Sequence, residues 1–227
     1  MNHERLQGIG AAVAIEPLIR DLDGGQNGQR YRAALARSAG FFNTNPYLAG
    51  VAIGAVARAE HSGVPLHQVE TLRSAIKGPL GSLGDRLIWT GVLPVCASIG
   101  LVCATLVHPL VAVAAYLLAF NAVNVAVRWW GLRAGWRSGI AVAAMLSQSV
   151  LGHAVKFVGP LAVLSIGVAL PVAAEMLTAN FDTSVRVGTA GVALATAATS
   201  WFLMPSVGAA RVGILALGSV LVLGWIW

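Results

Sequence analysis

Charge is what this sequence has least of. Of 227 residues 11% are charged, with fifteen Lys and Arg set against nine Asp and Glu, whereas a soluble domain carries about a quarter. With 57% hydrophobic residues and a mean hydropathy of +0.75, that deficit excludes an ordinary soluble domain and defines an integral membrane protein. Cysteine is almost absent. Cys96 and Cys103 lie seven residues apart in one apolar run, a helical rise of roughly 10 Å and beyond the reach of a disulfide. They read as small buried hydrophobes, with no metal-ligand spacing around them. No signal peptide is expected, because Met1 to Asp23 carries charges throughout and lacks a clean apolar core; insertion then relies on internal spans. A basic stripe is missing as well. The net charge of +6 is spread over the N-terminal region and the junctions between apolar runs, as a positive-inside bias places it, and this argues against a nucleic-acid partner.

Residues 1–45 hold no span. Ile9 to Ile19 is mostly apolar but closely bracketed by Arg5, Glu16, Arg20, Asp21 and Asp23, the pattern of an interfacial amphipathic helix. Asp23 to Gly28 is a turn cluster, and Arg30 to Phe42 reads as a second surface helix with its arginines on one side. Five arginines and no span place this region on the cytoplasmic face. Pro46 to Ala57 is apolar for about twelve residues, too short to cross a bilayer of ~30 Å, and fits either half of a re-entrant hairpin or a helix buried against other spans. Leu87 to Val127 is the longest uncharged run, about forty residues and enough for two crossings, with His108-Pro109 marking the turn. Further runs follow at Ser138–Val155 and Phe157–Ala174, divided by Lys156, and at Val187–Ala210 and Val212–Trp227, divided by Arg211. The expected fold is an all-α integral membrane protein with about five to six transmembrane helices.

Between these regions lies Ile76 to Trp89. Gly78, Gly81 and Gly84 interrupt it at every third residue and Pro79 removes a backbone donor, which neither a helix nor a strand tolerates well. A Gly/Pro-broken segment carrying Lys77, Asp85 and Arg86 at the mouth of a membrane domain predicts either a re-entrant hairpin, its backbone buried in protein or lining a water-filled cavity, or an ordinary tight loop between an interfacial helix and a membrane span. The arms of the hairpin would bring Lys77 and Asp85 together as an ion pair.

Gly-Pro-Leu-Gly-Ser-Leu-Gly-Asp at 78–85, followed by Trp89, resembles the Gly-Pro-Leu-Ala-Gly-Ile-Gly-Asp…Trp signature of the IID membrane subunits of mannose/fructose/sorbose-type sugar phosphotransferase permeases. Three further matches stand in the same order. Asn2 to Gln7 is similar to that family's Asn-Tyr-Glu-Arg-Met-Gln. Phe41-Phe42-Asn43-Thr44-Asn45-Pro46-Tyr47 resembles its Phe-Phe-Asn-Thr-His-Pro-Tyr/Phe. Phe120-Asn121 and then Arg128 to Arg137 resemble its Phe-Asn…Arg-Trp-Tyr-Gly-Leu-Arg-x-Gly-Tyr-Arg. Lys77 stands where the family has Met, Arg86 where it has a small residue or proline, and Leu93 where it has arginine.

The resemblance implies a non-catalytic transport subunit of the bacterial cytoplasmic (inner) membrane. It would pair with a IIC subunit to form a hexose path, in an oligomer of IIC–IID units, while cytoplasmic IIA and IIB subunits phosphorylate the sugar; no cofactor or metal is implied. The departures leave a second reading open, a non-transporting regulatory or scaffolding membrane protein. Three regions follow: cytoplasmic helices at 1–45, the short apolar segment and hairpin near substrate at 46–90, and the transmembrane bundle at 91–227. A sugar offers hydroxyls, which carboxylates and amides recognise, so Glu4, Asn43, Thr44, Asn45, Asp85 and Asn121 are the candidate substrate-binding residues. Lys77, Gly78, Pro79, Gly81, Gly84, Arg86 and Trp89 would shape the hairpin. Asn124, also inside an apolar run, reads as a residue bonding helices together. His3, His61, His67, His108 and His153 are scattered and lack a partner base or a phosphate-cradling loop, so none is expected to carry phosphate.

Overall fold

The computed structural model describes residues 4–22, 24–148, 150–188, 190, 191 and 195. The chain divides into two compact units, Met1–Val172 and Ala173–Trp227, and the described regular structure is helical. In the first unit two short helices, α1 (Gly8–Ile19) and α2 (Gln29–Ser38), turn about Gly24 and Gly25. Their positive φ values of 83° and 58° are conformations that favour glycine. Each helix buries one face, Ala12, Ile15 and Ile19 on α1 and Tyr31 and Ala34 on α2, although α1 also turns the apolar Ile9 and Val13 outward. Arg20 clasps Glu16 through two bonds of 3.0 and 2.7 Å, and the Tyr31 hydroxyl donates to the same carboxylate at 3.1 Å, tying α2 to α1.

The short apolar segment becomes α3 (Ala49–His61). Of its two expected forms the buried helix is the one formed, packed against α6 (Pro109–Ser138). Glycines decide how close the pair comes. Gly50 and Gly54 on α3 face Gly131 and Gly135 on α6, each pair spaced four apart. A Cβ on Gly54 would stand 2.7 Å from the Trp136 amide nitrogen, and one on Gly135 would collide with the Val51 carbonyl. Backbone therefore lies on backbone, the device by which membrane helices associate where no hydrophobic effect separates protein from lipid. At the end of α3, Glu60 is 7% exposed and pairs with Arg37 at 2.7 Å, while its carbonyl accepts from Arg30 at 2.8 Å. His61 reaches back to the Leu18 carbonyl at 2.8 Å and lies against Trp136.

Ser62 to Pro65 turns the chain into α4 (Leu66–Leu87), which runs without a break through Gly78, Pro79, Gly81 and Gly84. The expected Gly/Pro hairpin is not formed here. Intrinsic propensity opposes this helix by about 1 kcal/mol per glycine and about 3 for proline, and tertiary packing overrides it: Val69, Leu72, Ile76, Leu80 and Leu87 form a buried stripe. Gly78 also lacks the Cβ that would crowd the ring of the following Pro79. Along one helix eight residues rise about 12 Å, so Lys77 and Asp85 do not meet and the predicted pair is absent. A five-residue π-helical turn, Ile88–Val92, then passes into α5 (Leu93–Leu106).

The turn predicted at His108-Pro109 is present, with His108 Nδ1 accepting from the Leu110 amide at 3.2 Å as the cap of α6. α7 (Val142–Gln148) and α8 (Val150–Thr178) follow. Lys156 does not divide two helices as expected, because α8 runs through it with the lysine exposed. Three stretches are long and apolar enough to cross a membrane among the described residues: Leu66–Leu106, Pro109–Ser147 and Leu151–Met176. The remaining predicted runs, 187–210 and 212–227, lie almost wholly outside the described residues. Large apolar side chains stand outward along α6 (Leu110, Leu118, Val125) and α8 (Phe157, Val163, Leu164), the surface expected of helices facing lipid. In the second unit the chain turns at residues 179–182, and Arg186 closes over the turn by bonding Glu175 at 3.2 Å and the Phe181 carbonyl at 3.1 Å.

Candidate functional site

The site grows from an extended stretch, Phe41 to Pro46, held between the start of the chain and α4. Leu6 and Phe42 form an isolated bridge, with the Gln7 amide donating to the Phe42 carbonyl at 2.9 Å. The Gln7 side chain then clamps Thr44 from both sides, its Nε2 donating to the Thr44 carbonyl at 2.8 Å and its Oε1 accepting the Thr44 amide at 3.2 Å. On the far side Arg73 of α4 donates to the Ser38 and Gly40 carbonyls at 2.7 and 2.9 Å and to the Arg37 carbonyl. A guanidinium there satisfies acceptors left open by the end of α2.

With its backbone fixed, the segment presses onto the glycine-bearing face of α4. The Thr44 hydroxyl donates to the Lys77 carbonyl at 3.0 Å. Asn45 is 3% exposed; its Nδ2 donates to Asp85 Oδ1 at 2.8 Å and its Oδ1 accepts the Tyr47 amide at 3.0 Å. Gly84 allows this approach, since a Cβ there would overlap Asn45 and stand 2.7 Å from its Oδ1. At Gly81 a Cβ would only touch the Thr44 hydroxyl at 3.9 Å. The aromatic wall beyond is Tyr47, edge-on to Trp89 at 5.8 Å and to Phe120 at 6.0 Å, with the Arg128 guanidinium 5.2 Å from its ring centre.

Segment and helix enclose a cavity of about 460 Å³ lined by Asn43, Thr44, Asn45, Pro46, Lys77, Gly78, Gly81, Ser82 and Asp85. Four of the six candidate binding residues thus come together: Asn43, Thr44, Asn45 and Asp85. Glu4 and Asn121 do not line it. Glu4 is exposed, and the Asn121 amide donates to the Leu117 carbonyl of its own helix at 2.8 Å. Nor does Asn124 bond another helix; its Oδ1 accepts from Arg128, one turn along α6, at 2.6 Å. Of the residues assigned to the hairpin, Lys77, Gly78 and Gly81 line the cavity and Gly84 permits it. Pro79 and Arg86 are exposed on α4, and Trp89 belongs to the aromatic wall. Sequence reasoning missed Ser82, on the exposed face between Gly81 and Asp85, and Gln7, whose only signal was its place in the first motif.

Helices able to span a membrane, with the buried Asn45 amide bonded to the exposed Asp85 carboxylate at a polar cavity, define a membrane protein with a candidate site for a polar solute. The family described as the PTS system mannose/fructose/sorbose family IID component matches residues 1–222, and the chain belongs to that family. The sorbose-specific EIID component of Klebsiella pneumoniae is 30% identical over 158 residues, 66% of this chain and 56% of that protein. The mannose-specific EIID component of Escherichia coli (strain K12) is 30% identical over 149 residues, 62% of this chain and 51% of that protein. The fructose permease IID component of Bacillus subtilis (strain 168) is 27% identical over 149 residues, 62% of this chain and 52% of that protein. The chain thus spans about half the length of the curated relatives it matches. In structure it is similar to a chain of the mannose transporter ManYZ, solved by cryo-EM in complex with microcin E492. The TM-score is 0.55 at 22% identity, over 99% of this chain and 89% of the other.

Proposed function

We propose that this chain is the IID subunit of a mannose-type permease in a bacterial cytoplasmic membrane, with residues 1–45 on the cytoplasmic side. It forms the path for a hexose together with a IIC subunit, contributing part of the binding site and no covalent chemistry, while IIA and IIB subunits phosphorylate the sugar. The observation that carries this reading is the cavity at Asn45. There Asn45 takes one oxygen of Asp85, leaving the other, with the Asn43 amide and the Ser82 hydroxyl, to accept from and donate to sugar hydroxyls. His61 is occupied by the Leu18 carbonyl and Trp136, which supports leaving phosphoryl transfer to partner subunits.

The test is sugar uptake by the chain co-reconstituted with its IIC subunit and the soluble phosphoryl-transfer proteins. Asp85→Asn and Asn45→Ala should each lower uptake at least about tenfold, the loss of one charge-assisted hydrogen bond, while the complex still assembles. An intact complex that takes up no sugar even as wild type would refute transport and leave the regulatory role.

A further inference from the structure

The cavity holds a group that a neutral hexose does not require. Lys77 lines it, half-buried, its carbonyl fixed by the Thr44 hydroxyl and its ammonium 4.9 Å from the centre of the exposed Phe41 ring. Nearby cations are committed elsewhere: Arg37 to Glu60 and Arg73 to the carbonyls after α2. No carboxylate among the described residues lies within ion-pairing distance of Lys77. Asp85 stands two turns further along α4, about 12 Å in rise, and gives its Oδ1 to Asn45. An aromatic face is a weaker partner for an ammonium than a carboxylate or phosphate oxygen. Lys77, which lines both this cavity and a second one lined by Phe41, Glu60 and Glu70, and the Asp85 carboxylate thus stand at opposite ends of the site.

Resting on the reading of this cavity as the sugar site, we propose that it selects a sugar bearing an anionic group, the carboxylate of a sugar acid or a phosphate ester. Lys77 is the specificity-determining counter-ion. The anionic end of the ligand turns toward Lys77 and away from Asp85, and its hydroxyls meet Asp85, Ser82 and Asn43. The same charge that attracts the anion fixes the ligand's direction in the site.

Equilibrium dialysis of radiolabelled D-gluconate, D-glucuronate, D-glucose 6-phosphate and D-glucose against the full chain, in nanodiscs with its IIC subunit, tests this with wild type, Lys77→Met and Lys77→Arg. Wild type and Lys77→Arg should bind an anionic sugar at least about tenfold more tightly than glucose, and Lys77→Met should lose that preference while still binding glucose. Whether the two carboxylates or the phosphate ester lead identifies the anion. Equal or tighter binding of glucose by wild type, or a preference that survives Lys77→Met, overturns the proposal and leaves the sugar site standing. Should none of the four sugars bind to wild type or to either variant, the sugar-site reading falls and the proposal with it. A thermal transition of Lys77→Met matching wild type keeps a folding defect from passing as lost selectivity.

Discussion

Gly81 and Gly84 lie three residues apart on α4, and adding one methyl group to each should have opposite effects. At Gly81 the helix leaves room, the nearest atom being the Thr44 hydroxyl at an ordinary 3.9 Å. Gly81→Ala should then gain the helix-propensity difference, about 0.8–1.0 kcal/mol. At Gly84 the methyl group overlaps the side chain of buried Asn45. Either the helix moves, an overpacking cost of about 1–3 kcal/mol, or Asn45 swings away and gives up its bond to the Asp85 carboxylate, about 1.5–3 kcal/mol. Net of the same propensity gain, Gly84→Ala should therefore lose up to about 2 kcal/mol by either route. Thermal unfolding of the detergent-solubilised protein, followed by tryptophan fluorescence, reads both signs. The reasoning fails if Gly81→Ala destabilises as strongly as Gly84→Ala, the result expected if the stretch were a glycine turn rather than a helix.

The crossing of α3 and α6 predicts that Gly54→Ala and Gly135→Ala each cost about 1–3 kcal/mol, whereas Gly152→Ala on α8, with open space at its Cβ, should stabilise like Gly81→Ala; the same thermal assay compares them. Glu16 is predicted to make the α1–α2 pair acid-sensitive. Its bond from Arg20 holds the carboxyl below the usual carboxylate range, so its contribution is complete above the unfolded value, about 4.3, and is lost as pH falls through the lower folded one. Wild type should therefore lose more stability than Glu16→Gln on acidification from pH 5 to pH 3, and parallel pH profiles would show that the carboxylate is not involved.

Much of the fold was legible because its signals are compositional or local. The charge deficit gave the membrane class, the bracketing charges gave α1 and α2, and His108-Pro109 gave the break before α6. The site was half legible: the motifs at 41–47 and 78–85 do meet, and Asn43, Thr44, Asn45 and Asp85 do line one cavity. What failed was the local reading of Gly78 to Gly84, because its glycines answer to neighbours distant in sequence. Gly84 makes room for Asn45, forty residues away in the chain less one. The spacings Gly50…Gly54 and Gly131…Gly135 were visible too, but a four-residue glycine interval has meaning only once the helix facing it is known. Asn121 and Asn124 looked like interhelical or ligand groups because amides are costly in apolar runs; both are satisfied within α6, which no pattern of residue types reveals.

The π-helical turn at Ile88–Val92 changes the phase of the rod that contains it. Below the turn the buried positions Val69, Leu72, Ile76, Leu80 and Leu87 fall along one side at about 100° per residue. Counted at the same rate, Val92, Cys96 and Gly100, buried at and above it, come out roughly half a turn away while buried Ser98 stays on the first side; the looser π-helical turn takes back part of that rotation. An uninterrupted α-helix would turn those three positions squarely away from the lower stripe. This one addresses the Asn45 segment with its first half, and with its second brings Gly100 against Tyr116 and Ala112 of α6. Deleting one residue inside Ile88–Val92 would rotate one half by about 100° relative to the other, so that one set of partners could be kept only by abandoning the other.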